Sequence, residues 1–214
     1  MMRRKHVHSS TVYKLCSLAL QYPDDELIAA RAGLAAAAAD LRPGPAAESL
    51  GRFFAWFTET PPLELAQRYV RTFDLHKGSA LYLTFYPLGD RRDRGLALLR
   101  LKKLYRAAGL PLEGSELPDF LPVMLEFAAV APREQGELVL SEHRAALELV
   151  RLSLRAQHSP YADVLDAVGA QLGHLSVAER ARLERITAHG APTELVGLEP
   201  FAPPEVMPIT GSRR

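Results

Sequence analysis

The sequence predicts an all-α protein, and its composition is the main reason. The 214 residues include 35 Leu and 31 Ala but only 12 Val and 3 Ile. Leu and Ala lose little conformational entropy in a helix, whereas strands favour β-branched and aromatic side chains. Apolar residues also recur at helical spacing through most of the chain. A chain of this length usually forms one domain, so we expect a single compact multi-helix domain of about eight to ten helices.

The first third of the chain is predicted to form four helices. Ser9 or Ser10 can cap the first, whose apolar stripe runs to Tyr22 before Pro23 ends it. Three consecutive acidic residues then place negative charge at the start of the second helix, where the helix dipole favours it. These predicted helices cover residues 9–22, 24–41, 46–58 and 63–73.

The segment 80–86 is apolar and aromatic, and periodicity does not decide between a buried helix and a strand there. Asp119 can cap a later helix that carries Pro122 in its first turn, a position that tolerates proline. The other predicted helices cover residues 91–108, 136–157, 161–172 and 177–189. We therefore divide the chain into a loose basic start (1–9), a helical domain (10–189) and a proline-rich, mobile tail (190–214).

Charge and targeting signals suggest a cytoplasmic protein. The formal net charge of +1 gives no global attraction to nucleic acid or to anionic lipid. The one cysteine, Cys16, excludes an internal disulfide and fits a reducing compartment. Lys14 interrupts the apolar stretch that follows the basic start, so a signal peptide is not expected. No stretch is long and apolar enough to predict direct membrane insertion.

Motifs of catalysis are missing from the sequence. There is no glycine-rich phosphate loop, no nucleophile elbow and no zinc-protease motif. The seven histidines are scattered, without a convincing ligand spacing. We therefore expect neither an enzyme nor a metal site, and no permanently bound cofactor.

Charge is segregated within the neutral total. Residues 90–106 contain seven basic side chains and two acidic ones, whereas residues 112–142 contain seven acidic side chains and one arginine. The two stretches can pair with each other across the surface, each exposed pair contributing under ~1 kcal/mol. Alternatively, the acidic stretch borders a groove for a basic partner. A nucleic-acid role for the basic stretch is disfavoured because aromatic residues do not interleave with it.

Several motifs in the middle of the chain resemble those of one protein family. They are Arg71-Thr72-Phe73-Asp74-Leu75, Ser79-x-Leu81-Tyr82-Leu83-Thr84, Gly89-Asp90-x-Arg92-x-Arg94-Gly95-x-Ala97-Leu98-Leu99, Tyr105, Gly109 and Glu116-Leu117-Pro118-Asp119. They resemble the nitrate reductase molybdenum cofactor assembly chaperones (the delta subunit, or NarJ, group) among the TorD-like redox-enzyme maturation proteins. The resemblance extends over residues 12–172. One departure is Phe120, where the family usually has histidine.

The resemblance implies a chaperone and not a catalyst. Members of this family are all-helical and cytoplasmic, and they bind the N-terminal segment of the apo catalytic (alpha) subunit. They keep that subunit competent for insertion of molybdopterin guanine dinucleotide and delay its docking onto the membrane anchor. The expected partner is therefore the nitrate reductase alpha subunit, and any contact with the cofactor is expected to be transient.

The family-like segment coincides with the acidic stretch, which suggests a binding site for the client. We expect an apolar groove with acidic edges, because helical segments are often recognised in such grooves. Structural roles also exist for two of the acids, Asp119 as a helix cap and Glu126 as a solvated residue. The predicted site residues are Tyr82, Tyr86, Leu121 and Leu125 for the groove and Glu116, Asp119 and Glu126 for basic client residues.

Two other functions stay open at this point. The first is an accessory protein that handles the cofactor or a guanine nucleotide, with Arg91, Arg92 and Arg94 as a phosphate patch. The second is a helical regulator that binds a different protein. The sequence does not decide between a monomer and a homodimer.

Overall fold

The computed structural model describes residues 2–89 and 92–188, and within them it confirms the all-α prediction. The described residues form eleven α-helices, slightly more than the eight to ten expected. A single π-helical turn, Val70–Asp74, and a 3-10 turn, Lys77–Ser79, follow the fourth helix. The α-helices are α1 (Met2–Ala19), α2 (Asp25–Ala39), α3 (Pro45–Glu59), α4 (Pro62–Tyr69), α5 (Phe85–Leu88), α6 (Arg92–Ala107), α7 (Leu121–Val130), α8 (Arg133–Glu142), α9 (Arg144–Ala156), α10 (Tyr161–Leu172) and α11 (Val177–Ala188).

Local signals explain most helix starts. Asp24 caps α2 by accepting a hydrogen bond from the Leu27 amide at 2.8 Å, and prolines occupy the first turns of α3 and α4. The start of α1 differs from the prediction, since the helix begins at Met2 and not after Ser9 or Ser10. No proline or glycine interrupts residues 2–19, so nothing in the chain ends the helix early.

The core lies where α1, α3, α7 and α10 pack together. Its centre is an aromatic cluster in which the rings of Phe53 and Tyr161 lie 5.4 Å apart, and Phe57 stacks on Phe53. All three rings are buried. Aromatic rings bury large apolar areas and dominate core energetics. The α1–α7 contact is fixed by the Ser17 hydroxyl, which donates to the Pro122 carbonyl at 2.8 Å.

The predicted helix over residues 136–157 is two helices, and this is a correction. Helix α8 begins after Pro132 and ends at Glu142, and α9 begins at Arg144. The chain turns at His143, whose Nδ1 lies 2.8 Å from the Val139 carbonyl oxygen. Neither glycine nor proline marks this break. The two helices diverge because α8 packs on α7, whereas α9 packs on α10 and α11.

The ambiguous segment 80–86 is neither a long helix nor part of a sheet. It crosses the segment before α7, and an isolated antiparallel bridge pairs Tyr82 with Phe120. The Leu83 amide donates to the Asp119 carbonyl at 3.0 Å, and the Leu121 amide donates to the Leu81 carbonyl at 2.8 Å. We call residues 80–84 and 117–121 the crossing segments. One helical turn, α5, follows the first of them.

Asp119 does not cap α7, which corrects the structural role considered for it. The residue at the N-cap position is Phe120, and no side chain caps the helix. Pro122 does lie in the first turn, as predicted, and it removes one of the amides that a cap would have to satisfy. Asp119 points into the protein instead, as described below.

The structure describes neither a membrane-spanning helix within residues 2–89 and 92–188 nor the predicted tail. Among the helices that the structure describes, none is both long and apolar enough to span a bilayer. The predicted tail, 190–214, lies outside the described residues. The division of the chain into a loose start, a helical domain and a tail stays a prediction.

Candidate functional site

A groove of about 490 Å³ lies between the end of α1, the π-helical turn and the crossing segments. Five aromatic and three acidic side chains line it. No basic side chain is among the described residues of its wall. The aromatic residues are Tyr22, Tyr69, Phe73, Tyr82 and Phe120, and the acidic residues are Asp24, Asp74 and Glu116. We call this surface the acidic groove.

The aromatic rings form two contiguous groups on its walls. On one side, Tyr69 packs edge-to-face against Tyr22 at 5.5 Å and lies 4.8 Å from the ring of Phe73. On the other side, Tyr82 and Phe120 pack at 5.2 Å, an arrangement that the backbone bridge between them produces. Tyr22 is half exposed, so apolar surface is available at the mouth.

The three acids come from different parts of the chain. Glu116 is exposed, and its Oε1 accepts hydrogen bonds from the Tyr82 hydroxyl at 3.2 Å and from the Leu117 amide at 2.9 Å. Asp74 is exposed at the end of the π-helical turn. Asp24 is held at the start of α2 by its capping bond. Hydrogen bonds thus hold the carboxylates of Glu116 and Asp24 in place, and Asp74 contributes an exposed charge to the lining.

Burial and the nearby negative charges raise the pKa values of two tyrosines in the groove. Burial raises the pKa of Tyr82 to about 12, together with the charge of Glu116, the hydrogen bond to it, and the charges of Asp119 and Asp74. Burial also raises the pKa of Tyr69, and Asp74, Tyr82 and Glu116 contribute in the same direction. A nearby negative charge disfavours a second one. The same field favours a cation in the groove.

The structure brings only two of the seven predicted client-binding residues into this groove. Tyr82 and Glu116 line it and are joined by a hydrogen bond. Leu121 and Leu125 are fully buried in the core. Tyr86 is buried too, and its hydroxyl donates to the Ala80 carbonyl at 2.9 Å. These three side chains would have to become exposed to contact a ligand.

Asp119 belongs to the second crossing segment, and its side chain is fully buried. Its Oδ2 accepts hydrogen bonds from the Thr84 hydroxyl at 2.5 Å and the Thr84 amide at 3.2 Å, and Arg94 Nη2 lies 3.5 Å away. The Oδ1 atom has no hydrogen-bond partner. Asp119 thus ties the first crossing segment to α6 and does not reach the groove.

Glu126 lies on α7, away from the acidic groove. Its carboxylate pairs with Lys14 Nζ of α1 at 2.6 Å, and both side chains are almost half exposed. Two ion pairs also join the basic stretch to the acidic one, as one of the two alternatives for these stretches predicts. They are Arg94–Asp119 and Arg100–Glu142.

The three arginines considered for phosphate binding are in different situations. Arg94 is engaged with Asp119 and Thr84. Arg92 is exposed at the start of α6. Arg91 lies outside the described residues. No group of three or more potential metal ligands was found in the part of the chain that the structure describes.

Sequence reasoning missed most of the groove. It interpreted Asp24 only as a favourable charge at a helix start, and it placed Asp74 in a family-like motif without assigning it to the site. A usable signal was present, since Tyr22-Pro23-Asp24 and Phe73-Asp74 each set an aromatic residue beside an acid at a helix end. Tyr69 and Phe73, four residues apart, also lie on one helical face.

Comparisons with known proteins identify the relatives of this chain. The family model for the nitrate reductase delta subunit matches residues 36–167, which include the groove residues from Tyr69 to Phe120. The NarX nitrate reductase-like protein of Mycobacterium tuberculosis strain H37Rv is 37% identical over 167 residues, 77% of this chain and 25% of that protein. The chain thus spans about a quarter of the length of NarX.

Two further relatives have names that state a role. The protein named "Probable nitrate reductase molybdenum cofactor assembly chaperone NarJ" of Bacillus subtilis is 35% identical over 168 residues, 78% of this chain and 91% of that protein. The nitrate reductase molybdenum cofactor assembly chaperone NarJ of Escherichia coli K12 is 33% identical over 154 residues, 71% of this chain and 65% of that protein. From the extent of these matches, the chain belongs to the nitrate reductase delta subunit family.

Proposed function

We propose that this protein is a non-catalytic chaperone for the assembly of a nitrate reductase. It binds the N-terminal segment of the apo alpha subunit in the cytoplasm and keeps that subunit competent for molybdenum cofactor insertion before the complex docks on the membrane. Two relatives are named as nitrate reductase molybdenum cofactor assembly chaperones, the one from Bacillus subtilis as a probable one. The observation that carries the binding step is the acidic groove, with its five aromatic and three acidic side chains.

The groove suits a short amphipathic segment with a basic side chain. Apolar side chains of the client would pack against the Tyr82–Phe120 pair, while a Lys or Arg would meet Glu116 and Asp74. Arg and Lys are also attracted to the faces of aromatic rings. A volume of about 490 Å³ is typical of a ligand pocket, so it would hold a few anchoring side chains and not a whole helix.

The other predicted residues act indirectly in this proposal. Asp119 fixes the first crossing segment, and with it the position of Tyr82. Leu121 and Leu125 belong to the hydrophobic core against which Phe120 packs. Glu126 lies outside the groove, so the client contact predicted for it would need a longer bound segment. Cofactor transfer itself would need only transient contact with molybdopterin guanine dinucleotide, as the client subunit is its destination.

Calorimetric titration with a peptide of the alpha subunit's N-terminal segment tests the proposal. A scrambled peptide serves as the ligand control. The double variant Asp74→Asn, Glu116→Gln is expected to weaken binding by roughly tenfold at low salt, and by less at high salt because exposed charges are screened. The matched control, Asp40→Asn with Glu134→Gln, removes two exposed acids elsewhere and is expected to bind like the wild type.

The result distinguishes the proposal from its alternatives. Equal binding of native and scrambled peptides, or equal affinity of the two double variants, would contradict recognition in the acidic groove. A nucleotide-handling protein would instead bind a guanine nucleotide and lose affinity on Arg92→Gln. A regulator of a different protein would show no preference for the nitrate reductase segment.

A further inference from the structure

A second cavity, of about 650 Å³, lies on another part of the molecule, between α9, α10 and the start of α3. Residues of the loop after α10 and of the first turn of α11 also line it. Four side chains that carry or can accept a positive charge line this cavity together with two carboxylates. The cationic residues are Arg144, Arg151, Arg180 and His174, and the acids are Glu148 and Asp166.

The two carboxylates are already occupied by other arginines. Arg151 forms a two-pronged pair with Glu148, with donor–acceptor distances of 2.6 and 2.9 Å, and also binds Asp166 at 3.1 Å. Asp166 is bound by Arg155 as well. Arg155 also binds Asp163, which pairs with Arg52 in turn. Arg52, Arg151 and Arg155 together balance the carboxylates Glu148, Asp163 and Asp166, and the remaining charges of the wall are positive.

Arg144 is the unusual member of this set. It is only 7% exposed, and long charged side chains are almost never this buried without an ionic partner. Its Nη2 donates to the Gly173 carbonyl at 2.9 Å. Within residues 2–89 and 92–188, no carboxylate forms an ion pair with it. Burial lowers the pKa of this guanidinium, while Glu148 and Glu179 act in the opposite direction without contacting it.

Local backbone features hold Arg144 in this position. Gly173 has a φ of 74°, a left-handed conformation that favours glycine, and its carbonyl anchors the guanidinium. Gly169 offers no side chain, so α10 lets the guanidinium lie close to its backbone. Arg144 is also the first residue of α9, a 13-residue helix whose N-terminal dipole adds positive potential. Glu179, the acid of α11 whose charge acts on Arg144 without contacting it, accepts a hydrogen bond from the Ser176 amide at 2.7 Å.

We propose that this cavity binds an oxyanion, a phosphate or carboxylate group of a small organic ligand, with Arg144 as the buried contact and Arg180 at the entrance. The planar guanidinium presents several donors that match such groups. The cavity volume is in the range of sites for small organic ligands and is much larger than one ion needs. The site is separate from the acidic groove and does not depend on the function proposed for that groove.

Titration calorimetry of the full chain, with inorganic phosphate, pyrophosphate and citrate as probes, tests this inference. The phosphate probes and the tricarboxylate distinguish the two sources of oxyanion. We expect saturable binding of at least one probe and a rise in the melting temperature with its concentration. Arg180→Gln is expected to weaken that binding roughly tenfold, since it removes an exposed charge without disturbing the core.

Two further variants complete the experiment. Arg144→Gln is expected to abolish binding, and because this change can also impair folding, Arg180→Gln is the deciding variant. The control, Arg106→Gln, removes an exposed arginine of α6 that does not line the cavity, and should bind the probe like the wild type. The inference is overturned if no probe saturates, or if Arg180→Gln binds as tightly as Arg106→Gln.

Discussion

Replacing Asp119 by alanine removes the acceptor that ties the first crossing segment to its surroundings. The Thr84 amide and hydroxyl would lose the oxygen that lies 3.2 and 2.5 Å from them, and Arg94 would lose a carboxylate at 3.5 Å. Leaving a buried donor unpaired costs about 1–3 kcal/mol. The side chain of Arg94 is 18% exposed, so water would compensate part of its loss.

We therefore expect Asp119→Ala to lower the free energy of unfolding by about 3 kcal/mol, the lower end of the range for breaking a buried pair. Asp119→Asn keeps one acceptor oxygen but loses the charge, and should lower it by about 1–2 kcal/mol. Urea denaturation followed by circular dichroism measures both values. A double-mutant cycle with Thr84→Val would show whether the loss arises from this contact.

A matched control uses Glu126, the acid of α7 that pairs with Lys14 at the surface. Glu126→Ala breaks a pair in which Lys14 and Glu126 have side chains 43% and 45% exposed, and such pairs contribute under ~1 kcal/mol. If Asp119→Ala costs no more than Glu126→Ala, the role assigned to the buried carboxylate is wrong. If the losses in free energy of unfolding caused by Asp119→Ala and Thr84→Val simply add in the double variant, the two residues are not coupled.

Packing, thiol reactivity and alkaline stability provide three further tests. In Gly136→Ala, the new Cβ would lie 2.8 Å from the α7 backbone, so the free energy of unfolding should fall by about 1–3 kcal/mol, measured by thermal unfolding. The control Gly51→Ala places its Cβ in open space and should be neutral or stabilising. Cys16 is buried and burial raises its pKa, so a thiol reagent should label it only on unfolding, and rapid labelling of the native protein would contradict this. Burial raises the pKa of Tyr82 to about 12 and also raises the pKa of Tyr161. The native state therefore holds these protons more tightly than the unfolded chain, whose tyrosines titrate near ~10. Their contribution to stability is complete below pH ~10 and should decline above it. A denaturation midpoint that is constant from pH 9 to about 12 would refute this.

The sequence determined the helical class and the position of most helices. Composition favoured helices throughout, and prolines, glycines and acidic first turns marked their ends. The structure confirms residues 161–172 as a helix, α10. These features are predictable because they depend on interactions within a few residues of the chain.

Helix breaks without such markers depended on packing. His143 separates α8 from α9 although the sequence around it reads as one helix. Asp119 could equally have capped a helix, and only the position of Thr84, 35 residues earlier, makes it a buried acceptor. A local pattern gives each residue several possible partners, and the tertiary contacts select one.

The same distinction applies to the candidate sites. The family-like motifs in the sequence identified Glu116 and Tyr82, which the structure brings together in the acidic groove. They did not include Asp24, and they included Asp74 without indicating a binding role, because both residues join the groove only when α1, the π-helical turn and the crossing segments pack together. Likewise, Leu121 has the apolar character of a groove residue but is buried in the core. Sequence periodicity determines which side chains are apolar, whereas the packing of distant segments decides which of them remain exposed to a ligand.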